Sequence, residues 1–415
     1  MDIKLAYGKD GIIVRVPGGV QADTFGRTEV DNPITYPQFV DALKKNHVDR
    51  LLGLDPPPLV VVNDGHRPTP TPQILEWLDK FAPGFLNRAR IVVACGTHGQ
   101  PSPEHLDKIF GRFLERLQGR YTWHDCNDLG SVVKVGVDHF GKDVFVNRAA
   151  VDATRVLIVT SSEPHYFAGF TGGRKSFFPG LADRATIERN HNLANSLDCA
   201  PLRLKGNPMA EHLKEMLGLL DVDKLFSIQL VVDAGRRIGS IFCDRIDRAF
   251  AEAVRASRAL YETKVDYSYD LVLAEILPPL DKSLYQIQKG LENTQSVVRD
   301  GGTVAVVADC HGGVGQQSFV DLASLWDRAG NRPLDGVAHF GSHKLSRVNA
   351  MTRRIDVRLK SELPPHIPRQ VYYEPVDDLQ ELVDAAGSRG GARMAVVHDA
   401  AHTVLQLKSV TESHA

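Results

Sequence analysis

Six short apolar runs rich in β-branched residues recur along this chain, separated by segments with helical spacing of apolar positions. They are LVVVND (59–64), RIVVAC (90–95), RVLIVT (155–160), LVLAEI (271–276), TVAVVA (303–308) and RMAVVH (393–398). Their cores are continuously apolar rather than alternating, which predicts strands buried on both faces of a parallel sheet. A helix is predicted after Ser102, with Ser102 as cap and Pro103 in the first helical position. Leu106, Ile109, Phe110, Phe113, Leu114 and Leu117 repeat at three and four and give it one apolar face. Segments 208–220 and 247–262 predict further helices, and SIQLVVDAGRRIGSIFCD (227–244) predicts a strand pair about a glycine-containing turn. The fold class expected is α/β, as two α/β domains with mainly parallel sheets and an active-site cleft between them. The boundary is placed in YETKVDYSYD (261–270), giving an N-terminal domain at 1–264 and a C-terminal domain at 265–415. The last ~15 residues of the chain are expected to be able to pack back on the N-terminal domain.

A length of 415 residues exceeds one usual core, in keeping with two domains. The formal net charge of −2 offers no electrostatic basis for binding nucleic acid or an anionic membrane. No apolar run approaches membrane-spanning length, and the start, MDIKLAYGKDG, lacks the basic-then-apolar pattern of a signal peptide. A cytoplasmic location is therefore expected. The five cysteines (Cys95, Cys126, Cys199, Cys243, Cys310) are widely spaced without a C-x-x-C pair, which argues against a disulfide framework or a zinc knuckle. Cys95 and Cys310 each end an apolar run and read as buried, inert thiols.

Polar clusters follow four of the predicted strands: Asp64-Gly-His66-Arg67-Pro68, Gly96-Thr97-His98-Gly99, Glu163-Pro164-His165 and Asp309-Cys310-His311-Gly312-Gly313. Ligands of open parallel sheets bind outside the carboxyl ends of strands, so these clusters are expected to converge on one cleft. The densest chemistry lies in PHYFAGFTGGRKSFFPG, from Pro164 to Gly180. The Gly172-Gly173 turn can present backbone N–H groups to a phosphate, and Arg174 can act as a phosphate partner or a plain surface charge. Lys175 precedes the apolar Phe177-Phe178-Pro179, a setting that would lower its pKa and make it nucleophilic. His98 and His165 are candidates for acid–base work, although His98 alone reads as a turn-stabilising residue. His191 lies in a helical stretch, and no H-E-x-x-H or cysteine cluster accompanies it as a metal ligand. Arg67 can pair bidentately with a carboxylate. Gln286 and Lys289 share a helix face, which could equally be a solvated one. The string HGGVGQQS (311–318) falls short of a full dinucleotide fingerprint, since Ser318 stands where the last glycine is needed.

Taken together these residues resemble the lactate racemase family. The counterparts of its motifs are Asp64 to Pro68, Gly96 to His98, His124-Asp125-Cys126, Pro164 to Lys175, Asn190-His191, Tyr285 to Lys289, and His343-Lys344. The resemblance spans nearly the whole chain. It implies a 2-hydroxy acid racemase or epimerase whose cofactor is a nickel-pincer nucleotide, supplied by cofactor-biosynthesis enzymes. By that resemblance Lys175 holds the cofactor through a thioamide, and His191 is the protein ligand to nickel. Asp64, Gly172, Gly173 and Arg174 bind the rest of the cofactor. His98 and His165 are the acid–base pair. Arg67, Tyr285, Gln286 and Lys289 bind the substrate.

Such chemistry answers a physical difficulty. The C2 hydrogen of a 2-hydroxy acid is a poor acid, because its removal as a proton builds a dianion. Removal as hydride, with one histidine taking the hydroxyl proton, leaves a planar 2-keto acid to which hydride returns on either face. The chain departs from the family at His66, often threonine there, at Gly99, often arginine, and at His311-Gly312, where C-x-E-G is common. These changes are expected to reshape the substrate pocket, so that it suits a larger or more polar acid than lactate, such as malate or a sugar acid. Two rival readings are a nicotinamide-dependent 2-hydroxy acid dehydrogenase, which would need the missing dinucleotide fingerprint, and a non-catalytic nickel or nucleotide carrier, which would not need both histidines.

Overall fold

A computed structural model describes residues 1–27, 29–328 and 342–408. The C-terminal segment discussed above lies partly outside the described residues, at 409–415. The chain divides into two compact units. The first comprises Glu29–Leu193 and Leu202–Leu260; the second comprises Met1–Thr28, Ala194–Pro201 and Tyr261–Ala415.

In the first unit the strands Leu59–Asn63, Ile91–Ala94, Tyr121–Trp123, Val156–Ser161, Leu225–Val232 and Ile238–Arg245 form one sheet. Across the sheet the order runs from Ile238–Arg245 through Leu225–Val232, Val156–Ser161, Leu59–Asn63 and Ile91–Ala94 to Tyr121–Trp123. All neighbours are parallel except the terminal pair, Leu225–Val232 with Ile238–Arg245, the strand pair expected at 227–244. Every residue of Val156–Ser161 and of Ile91–Ala94 is buried, which is why these runs carry no polar alternation.

Helices Thr71–Phe81 and Pro103–Phe110 cover this sheet with Ile74, Leu75, Leu78, Ile109 and Phe110. The Ser102 side chain caps the second of them by accepting from His105 N–H. That helix is shorter than its apolar repeat, because Gly111 adopts φ 49° and breaks the ladder. Phe113 and Leu117 reach the same core through a tight 3-10 turn and the turns after it. Helices Pro208–Leu217 and Ile246–Tyr261 occupy the other two expected segments.

The second unit holds an all-parallel sheet ordered Glu374–Pro375, Asp356–Lys360, Val298–Val307, Tyr269–Glu275, Arg393–Val397, Gln21–Phe25. The strand from residues 21–25 thus completes a sheet made otherwise from the C-terminal part of the chain. Alternate residues of the central strands enter two different cores. Val272, Ala274, Val304 and Val306 pack with Ile287, Leu291 and Leu345, whereas Leu271, Leu273, Ala305 and Val307 pack with Leu379 and Val383. The excursion at 194–201 is held by the buried Arg347. Its guanidinium forms a two-pronged pair with Glu292, both contacts at 2.7 Å, and donates to Ala194 O and Ser196 O. All five cysteines are buried, and burial pushes the Cys95 and Cys310 thiols up to about 12. Among the described residues no helix is long and apolar enough to cross a membrane.

Candidate active site

Three of the four polar clusters stand at the carboxyl ends of adjacent strands of the first unit's sheet, Val156–Ser161, Leu59–Asn63 and Ile91–Ala94. Small hydrogen bonds pin their loops. Asn63 Nδ2 donates to Thr69 Oγ1 and Thr160 Oγ1, and Thr69 and Ser161 hydroxyls meet at 2.7 Å. Arg236 donates to the carbonyls of Pro68 and Thr69. The fourth cluster, at Asp309–Gly313, belongs to the second unit, as do Tyr285, Gln286, Lys289, His343 and Lys344.

The Gly96 turn, with φ 56°, delivers His98 beside Asp64: His98 Nδ1 and Asp64 Oδ2 are 2.5 Å apart. Burial alone would raise the Asp64 carboxyl. The hydrogen bond and charge of His98, with the charges of Arg67 and His66, outweigh it and hold the group below its usual value. An ionised Asp64 puts the His98 proton on Nδ1 and leaves the lone pair on Nε2. His66 sits between His98 and His105, ring centroids 4.2 and 4.3 Å away. Burial first, and then its positive neighbours against the pull of Asp64, lower His66 to about 4, so it is neutral at pH 7. Among the described residues no hydrogen bond or ion pair engages the Arg67 guanidinium, which leaves its planar fork available to an anion.

His165 is set differently. It stands in the short pair Pro164–His165 with Gly169–Phe170, stacked on Tyr166 at 5.0 Å. Its Nδ1 accepts from the backbone N–H groups of Phe167 and Ala168, at 3.2 and 3.1 Å. The ring proton therefore lies on Nε2, the reverse of His98.

Lys175 lies in the turn Gly173–Ser176 and is buried. Burial, then the charges of Arg67 and Arg174, depress its pKa well below the ordinary lysine value, with Glu163 pulling the other way. The glycines before it make the turn possible, with φ 84° at Gly172 and 49° at Gly173. The Gly173 N–H is already taken, donating to Gln229 Oε1 at 3.0 Å. Donors without a partner among the described residues are instead Arg174 Nε and Nη2 and Gln229 Nε2, accompanied by the buried Ser176 hydroxyl. Among the described residues no carboxylate pairs with Arg174; the Phe250 ring lies 5.1 Å from its guanidinium carbon, and burial lowers it to about 10. A buried guanidinium in this state suits a bound anion. A Cβ on Gly172 would fall 2.0 Å from Gln229 Nε2 and 2.9 Å from Ser161 O. Gly172→Ala is accordingly expected to cost about 3 kcal/mol of stability, read from the denaturant midpoint.

His191 ends the helix Arg184–Asn192, and its Nδ1 donates to Ile187 O at 2.9 Å, which directs the lone pair to Nε2. Burial first, then the Lys175 charge, lowers it to about 4. A neutral imidazole with its other nitrogen fixed by a carbonyl is the usual state of a metal ligand. His124, by contrast, is fully buried between Ala182 O and the Asn147 amide and ties the hairpin Val132–Val137/Asp143–Asn147 to the sheet. Sequence reasoning passed over Gln229. The signal for it was a single amide inside the apolar run LFSIQLVV. In the second unit Tyr285, Gln286 and Lys289 lie on the helix Leu284–Thr294 as expected. The buried Lys344 amine donates to Tyr285 O at 2.7 Å.

A model of the lactate racemase N-terminal domain matches residues 19–199. A lactate racemase of Lactiplantibacillus plantarum is 30% identical over 306 residues, covering 72% of this chain and 69% of that one. A lactate racemase of Thermoanaerobacterium thermosaccharolyticum is 24% identical over 342 residues, covering 77% and 76%. Among solved structures, the lactate racemase apoprotein from T. thermosaccharolyticum superimposes with a TM-score of 0.81 at 20% identity, over 98% of this chain and 100% of that one. A Thermotoga maritima protein superimposes with a TM-score of 0.66 at 17% identity, over 91% and 99%.

Proposed function

This chain belongs to the lactate racemase family, and on that footing we propose that it inverts C2 of a 2-hydroxy acid, lactate being the reference substrate, with a lysine-tethered nickel-pincer nucleotide as cofactor. One observation carries the reading. A depressed amine, an imidazole with its lone pair on Nε2 and an acid–base imidazole, Lys175, His191 and His98, lie at one end of one sheet, and His191 feels the charges of the other two and of Arg67.

The residues fit the cofactor. Lys175 has the nucleophilic amine a thioamide tether needs, His191 offers a neutral nitrogen to nickel, and the Arg174 guanidinium, whose Nε and Nη2 have no partner among the described residues, answers a phosphate. When bound, the group supplies the acceptor and donor of hydride. The chain's own residues manage the charge and the proton. Arg67 holds the substrate carboxylate bidentately, and Tyr285, Gln286 and Lys289 are the further substrate-binding residues. His98 takes the hydroxyl proton on Nε2, and Asp64 stabilises the imidazolium that results. His165 holds the C2 oxygen through its Nε2–H. It becomes a base for the opposite enantiomer once its ring releases the amides of Phe167 and Ala168. His66, neutral and packed on His98, is the group that would meet a more polar substrate.

The deciding measurement is chiral chromatography of single-enantiomer lactate, malate and sugar acids incubated with protein that carries the adduct by intact mass. Convergence of both enantiomers of one acid on a common mixture is the expected result. Unchanged enantiomeric excess for all of them, with the adduct present, would overturn the reading.

A further inference from the structure

The polar cluster at the end of the Val298–Val307 strand has no part in the chemistry above. Asp309 and His311 flank Cys310, whose φ of 55° makes a tight bend, and His311 Nδ1 meets Asp309 Oδ1 at 2.9 Å. A second loop is clamped to this bend: Cys310 N–H donates to Asp281 O at 3.0 Å, and Gly312 N–H to Lys282 O at 2.8 Å. A Cβ on Gly312 would lie 2.8 Å from Lys282 O, so glycine is what permits the close approach. The clamp brings one ligand atom each from Asp281, Asp309 and His311 within 4.8 Å of one another.

Asp281 supplies the independent sign of a ligand. It is only 9% exposed, and among the described residues its Oδ1 has no hydrogen-bond partner. Burial, and then the Asp309 charge, push its carboxyl upward. A buried carboxylate oxygen without a donor, beside a second carboxylate, is a costly arrangement, and a cation relieves it. We propose that Asp281, Asp309 and His311 form a binding site for a divalent first-row transition ion of the manganese or zinc kind.

An imidazole in the set favours these ions over calcium and magnesium, which prefer oxygen alone. The separation of 2.9 Å between His311 Nδ1 and Asp309 Oδ1 is what two metal bonds of about 2.1 Å subtend near a right angle. On binding, the proton on that nitrogen passes to solvent and its lone pair goes to the metal. The His311 side chain is 54% exposed, so the ion has a route in and water can complete its coordination.

The test uses the full chain freed of metal with a chelator, titrated with Mn²⁺ and followed by the electron paramagnetic resonance of the free ion, with Zn²⁺ as competitor. Wild type should bind an ion that Asp281→Asn and His311→Ala each weaken by at least tenfold. Asp281→Asn removes a buried charge next to the Asp309 carboxylate, so its metal-free thermal midpoint should hold or rise, separating lost ligation from lost fold. Anomalous diffraction at the zinc edge should place the ion between these three residues. Equal binding by wild type and both variants would overturn the proposal. So would an ion found only at the other clusters, Asp64-His66-His98 or His139-His212-Glu215. Binding by neither ion would do the same, leaving Asp281 simply protonated. No turnover is measured, so the outcome is independent of the racemase reading.

Discussion

Asp64→Asn is expected to lower the racemisation rate on the order of 10²- to 10⁴-fold while leaving the mass adduct on Lys175 in place. The side chain keeps its shape, so the loop should keep its form. What changes is the proton on His98. An asparagine amide can donate to Nδ1, which moves the imidazole proton to Nε2 and removes the lone pair that must accept the substrate hydroxyl proton. Any imidazolium formed also loses the carboxylate 2.5 Å away. His98→Ala should cost a similar factor. The double variant should cost little more than either alone, because the two residues act as a unit. Turnover and intact mass of the three variants check this. Loss of the adduct in Asp64→Asn would instead make Asp64 a cofactor ligand, and additive losses would mean that Asp64 does not act through His98.

Lys175→Met should abolish both the adduct and turnover, yet stabilise adduct-free protein by about 1–3 kcal/mol. The amine is buried beside two arginines, so its protonated form is costly in the folded state. The sign follows from proton uptake. The folded-state pKa lies below the ordinary 10.5, so between the two values the unfolded chain binds more protons than the folded one. Stability therefore rises with pH across that window, and Lys175 is most destabilising on its acid side. Thermal midpoints of adduct-free wild type should climb between neutral pH and pH ~10, with a shallower climb in Lys175→Met. Equal slopes would mean that Lys175 is solvated, and an adduct persisting in the variant would place the tether elsewhere.

Much of the fold was legible because its strands are buried on both faces. Continuous apolar runs such as 156–159 and 59–62 follow directly from that burial, and the polar residues ending them mark the carboxyl edge where ligands bind. Helix ends were less legible. The apolar repeat after Ser102 continues beyond Phe110, but the Gly111 backbone turns away and the later residues reach the core by another path. The site was legible in its residue types and poorly legible in its pairings. Nothing in local sequence indicates that Gln229 takes the Gly173 N–H, or that Arg174 Nε and Nη2 are left without a partner among the described residues. Both depend on chain segments more than fifty residues apart.

The amino-acid order by itself determined the α/β alternation, the cap and the glycine turns, and the chemical identity of the groups at 67, 98, 165, 175 and 191, because these depend on neighbours a few positions away. Only the tertiary structure decided which nitrogen of His98, His165 and His191 carries the proton, which cations were stripped of water, and that residues 21–25 join a sheet built from residues 269–397. Protonation and desolvation are set by whatever surrounds a group in space, and those surroundings come from strands and loops that meet only when the chain is folded.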